Sequence, residues 1–154
     1  MLPLTVPPLD TLRIEEHVHG HLGWISAVAL VHPAILLRRT KRRADLAVGL
    51  SLVLISATGL LGVFLYTPYR DALRHSIFVD APAVGYLFER KEHIALGAIG
   101  LAWAGAAAYV GAACLDGAPR DSLRRAAHWA FVASACFALV AAVLGTIVAI
   151  YKTF

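Results

Sequence analysis

His21 and His32 stand eleven residues apart within one apolar stretch. Eleven helical residues at about 100° each return to within about 20° of the starting face, about 16 Å further along the axis. On a helix the two imidazoles therefore share a face at two depths. Each depth has a candidate partner, because His93 opens the third apolar stretch and His128 lies near the start of the fourth. Six-coordinate haem iron takes one axial ligand on each face of the porphyrin, so two level pairs of histidines are a geometry for two stacked bis-histidine haems. Such an iron has no open position, and it carries electrons without binding oxygen.

The elements that must position these residues are membrane spans. Of the 154 residues, 59% are hydrophobic and 16% charged, against about 25% charged in an ordinary soluble domain. Mean hydropathy is +0.70. Four apolar runs approach the roughly 20 residues that a helix needs to cross a bilayer core of about 30 Å. They predict spans at about 17–38, 44–66, 93–115 and 126–151, the first reaching full length only if its helix begins near His17 or Gly20. The expected fold is all-α, a single integral membrane four-helix bundle, with a connecting loop at 67–92. A short interfacial helix is expected within that loop at 71–78. Residues 1–10 hold three prolines and no basic residue, so no secretory signal is read there and the first helix is expected to act as its own insertion signal.

The formal net charge of +4 does not point to nucleic acid, because the basic residues gather in the turns between spans. Arg38, Arg39, Lys41, Arg42 and Arg43 lie in one connection and Arg120, Arg124 and Arg125 in another, eight of the fourteen in all. By the positive-inside rule these connections are cytoplasmic, which puts both termini and the 67–92 loop on the periplasmic side of a bacterial inner membrane. This orientation sets the depths. His21 pairs with His93 on the outer level, and His32 pairs with His128 on the inner one. His17 is the substitute outer ligand if the first helix starts early, since it shares a face with His21 while His19 projects to the opposite side.

Other readings of these residues compete. His-x-His-x-His at 17–21 can bind copper or zinc at the surface. A histidine inside a membrane can also simply bond a neighbouring helix, although rare intramembrane ionisable residues point to function by default. Arg70, Arg74, Arg90 and Lys91 outside, with Arg38, Arg39, Arg43, Arg124 and Arg125 inside, are available to haem propionates, but they read first as solvated topology charges. Small residues such as Gly59, Gly62, Gly97, Gly100, Gly105 and Gly145 would admit a haem edge and are equally ordinary at helix contacts. Glu15, Glu16, Glu92 and Asp45 are available to orient a ligand histidine or to carry a proton for a quinone. Cys114 and Cys136 read as small buried side chains with no disulfide and no metal, and His75 as an interfacial surface residue.

On His21, His32, His93 and His128, carried by three of the four spans, the chain resembles small multi-helix b-type membrane cytochromes. It departs from them in that only the first span carries two histidines. The resemblance implies two b-type haems, electron transfer across or into the membrane, and a quinone partner. The expected role is thus a non-catalytic electron-transfer subunit, passing electrons between a periplasmic partner and quinone or another subunit of a membrane redox complex. The alternatives are a cofactor-free structural or assembly subunit and a protein that binds pigment or metal.

Overall fold

The computed structural model describes residues 9–38 and 43–151, and all of its regular structure is helical. Residues 1–8, and with them most of the segment tested for a secretory signal, lie outside the described residues, as do Arg39, Lys41 and Arg42 of the first basic connection. Helix α1 spans Leu9–Leu37, α2 Asp45–Pro68, α3 Arg74–Asp80, α4 Pro82–Ala113 and α5 Gly117–Tyr151. Four helical stretches, Thr11–Leu37, Asp45–Asp80, Pro82–Ala113 and Gly117–Tyr151, are long and apolar enough to cross a membrane. A helix satisfies its own backbone polar groups, which is what a segment without water around it requires.

The helices pack as a ring in the order α1, α2, α4, α5, closed by α5 against α1. Because neighbours in the ring run antiparallel, α1 and α4 sit diagonally. Small side chains let α4 and α5 share the most extensive contact. Ala98 and Ala102 of α4 and Ala127 and Phe131 of α5 have no exposed surface. The ring of Phe131 lies against Gly105, where an added Cβ would come within 3.1 Å of it. Ser134 Oγ donates to the Ala98 carbonyl at 2.7 Å, joining the same two helices.

Every other adjacent pair is tied in a similar way. Ser51 Oγ of α2 donates to the Ala29 carbonyl of α1 at 2.9 Å, and Ser26 and Thr58 share a 2.8 Å hydroxyl bond. Trp103 Nε1 of α4 donates to Ser56 Oγ of α2, and Trp24 Nε1 of α1 donates to Thr146 Oγ1 of α5, both at 3.2 Å. Hydrophobic collapse gives helices little reason to associate in lipid, so close packing and such bonds carry the association.

The segment 67–92, expected as a loop, is helical except at Ala81. A π-helical turn at Tyr69–Leu73 carries α2 into α3 without a break, and Pro82 starts α4. Proline at a first helical position loses no needed N–H, so Pro82 begins a helix where it was read as a loop residue. The resulting hairpin packs with the end of α5 in a small core of Tyr69, Ile77, Val84 and Val148. Tyr69 stacks on Phe88 with ring centroids 3.7 Å apart, and Arg74 bonds Glu89 at 2.9 Å.

At the opposite end α4 and α5 meet through residues 114–116, and Gly117 opens α5 with φ of +62°, a left-handed conformation that suits glycine. Both Cys114 and Cys136 are exposed, not buried as expected, because one lies in this turn and the other on the outer face of α5. Replacing Gly105 by leucine overpacks the α4–α5 seam and is expected to cost about 1–3 kcal/mol. Thermal unfolding in detergent checks this, with Gly100→Leu, where an added Cβ meets nothing, as the near-neutral control.

Candidate functional site

The inward face of α1 is set by Leu12, Ser26, Leu30, Pro33 and Leu37, all essentially fully buried. Residues 12, 19, 26 and 33 recur every seven positions, so His19 belongs to this stripe. His17, His21 and His32 fall on the opposite face and are exposed. Helical phase thus separates the amino-terminal histidines differently from their depth. Choosing His21 because it lies deepest selects a residue that faces away from the bundle, whereas His19 is the one turned into it.

His19 packs against Gly62 of α2. An added Cβ at Gly62 would meet its Cε1 at 3.1 Å, and its Nδ1 is buried without a hydrogen-bond partner. Nearby on α4, the stem of Lys91 passes 3.5 Å from where a Cβ would stand on Gly145 of α5, and its ammonium lies 4.5 Å from the Phe88 ring centroid. Lys91 is accordingly packed inside the helix ring at this end, not displayed as a surface charge.

His93 is exposed on α4, and its Nδ1 is 2.8 Å from the Glu89 carbonyl one turn earlier. His17 makes the equivalent contact with the Arg13 carbonyl at 2.7 Å. His128 is half-buried and reaches across to α1, its Nδ1 2.8 Å from the Ala34 carbonyl. Since a carbonyl only accepts, each of these three rings donates from Nδ1, and in the neutral imidazole Nε2 is left with the lone pair. Metal-binding histidines hold the same arrangement, the non-ligating N–H being fixed by a carbonyl or carboxylate.

The expected level pairs are placed differently. His32 and His128 lie on adjacent helices near one depth, His128 being bonded two residues beyond His32. His21 and His93 lie on diagonal helices that do not pack together, and both point outward. The space between those helices is filled by Leu30, Ala98, Ala102 and Phe131, none with any exposed surface. The packed interior therefore leaves no fit for a porphyrin between the two expected levels.

A second polar cluster escaped the sequence. Tyr109 of α4 donates to Asp45 Oδ1 at 2.8 Å and accepts the Ala44 N–H at 3.0 Å, capping α2 from a neighbouring helix. The buried guanidinium of Arg124 lies 5.5 Å from the Tyr109 ring centroid. Arg124 was expected among solvated topology charges. Its phase one turn and two turns before Ala127 and Phe131, on the buried stripe of α5, was the available signal. Among the described residues no group of three or more histidine, cysteine or acidic side chains is placed to hold a metal ion. Comparison with known protein families, with curated proteins and with solved structures finds no match.

Two expectations follow. Tyr109→Phe removes both bonds that its hydroxyl makes to α2 and should lower stability by about 1–3 kcal/mol, measured by thermal unfolding. Gly62→Val displaces the His19 ring, so Gly62→Val and His19→Ala should be less than additive in a double-mutant cycle.

Proposed function

We propose that the chain is a multi-pass electron-transfer subunit of a membrane redox complex in a bacterial inner membrane, holding b-type haem at its surface against a neighbouring polypeptide. The observation that carries the proposal is the shared pose of His93 and His128, with Nδ1 engaged by a backbone carbonyl and the Nε2 lone pair left for iron. In this reading His128 and His32 serve one depth. His93 serves the other, with its second axial ligand supplied by the neighbouring subunit. Bound haem would supply reversible one-electron chemistry, and quinone is the membrane-soluble partner that fits such a carrier.

By the positive-inside rule, the end bearing Arg38, Arg43, Arg120 and Arg125 faces the cytoplasm. The α3–α4 hairpin and both termini then face the periplasm. Helix lengths agree with a molecule that extends beyond the lipid, because the 35 residues of α5 reach about 52 Å against a core of about 30 Å.

A cofactor-free assembly subunit is the second reading, favoured by the filled interior and by the bond from His128 to Ala34, which also serves as a tie between α5 and α1. A reduced-minus-oxidised spectrum of the purified complex separates the two. The redox reading expects a low-spin b-type signal in which His128→Ala and His93→Ala each remove a distinct component. An iron-free complex, or a spectrum untouched by both substitutions, would refute it. The assembly reading expects His128→Ala to lower stability by about 1 kcal/mol with no spectral change.

A further inference from the structure

We infer that His17 and His21 form a two-imidazole site for a borderline divalent transition metal, Cu²⁺, Zn²⁺ or Ni²⁺, on the outer face of α1, separate from the haem ligands proposed above. Residues four apart on a helix lie one above the other, with Cβ atoms about 5–6 Å apart, close enough for both rings to reach one ion. Both imidazoles are exposed. Together with Arg13, Ile14 and Val18 they form one open patch on the surface of α1.

The His17 ring is already oriented for ligation. Its Nδ1 donates to the Arg13 carbonyl at 2.7 Å, which sets the tautomer and leaves the lone pair on Nε2. A histidine pair at this spacing, both on one helix face, is the chelating element of helical zinc sites. Neutral imidazole prefers borderline ions, whereas Mg²⁺ and Ca²⁺ prefer oxygen ligands. The middle histidine of the string takes no part, because His19 is turned toward Gly62 on α2.

No third ligand joins the pair among the described residues, so the remaining coordination positions are left to water or an exchangeable ligand. Such a site releases its ion readily. It also lies toward the end of α1 that carries Glu15 and Glu16, before the apolar run that begins at Leu22, where an aqueous ion can reach it.

The test uses full-length protein in detergent, purified without a polyhistidine tag and stripped with chelator, then titrated with Cu²⁺ and with Zn²⁺. The expected result is saturable binding of one ion per chain, with a Cu²⁺ electron paramagnetic resonance spectrum showing two imidazole nitrogens. Loss of a supporting shell alone costs about 10–100-fold in metal affinity, so His17→Gln or His21→Gln, each removing a ligand, should cost at least that. His75→Gln and His93→Gln should bind as the parent does. Absence of saturable binding, binding that survives both ligand substitutions, or binding that depends on His93 would each overturn the inference. Because the stripped protein is read by Cu²⁺ and Zn²⁺ alone, the result is independent of whether haem is found.

Discussion

Close approach of α4 to α5 is the constraint on which the arrangement rests. Two helices in lipid gain little from hiding apolar surface, since their surroundings are equally apolar, and they associate where backbones come near enough for dispersion and hydrogen bonding. Gly105 and the alanines beside it provide that proximity, Phe131 fills the seam, and Ser134 closes it on the Ala98 carbonyl. With this pair in place, α1 can reach only α5 and α2, and α2 completes the ring. The facing stripe of each helix is then decided, including which of the seven histidines look inward.

The histidines divide accordingly into two chemical kinds. His19 is enclosed against a glycine, and His128 spends one nitrogen on a neighbouring helix. His17, His21, His32 and His93 stand on outward faces, where an imidazole in contact with lipid or headgroups is costly unless something pairs with it. On α1 these nitrogen donors stand on an otherwise apolar exterior, among exposed Ile25, Val28, Val31 and Ile35.

Much of the helical architecture was legible in the sequence, because four long apolar runs admit few alternatives once a bilayer is the solvent. The shared face of His17 and His21, with His19 opposed, was legible too, being a matter of 100° steps. The inward direction was not, since α1 alone carries no statement of where its neighbours stand, and depth is a poor substitute for phase. The 67–92 segment misled through its prolines. Pro82 occupies a first helical turn, and past Pro68 the widened turn lets the Arg74 N–H pair with the Tyr69 carbonyl, so neither proline interrupts the chain as it would in a helix interior. Tyr109, Asp45 and Arg124 were hidden for a different reason, as their association depends on three helices meeting at one end.

The strictly alternating direction of neighbours around the ring has an electrical corollary. Each helix carries a macrodipole equivalent to about half a charge at either end, and every one here lies beside two that oppose it. Each end of the bundle gathers two positive and two negative poles, which offset one another. The backbone therefore contributes little net field along the bundle axis, and the potential at either end is set mainly by side chains.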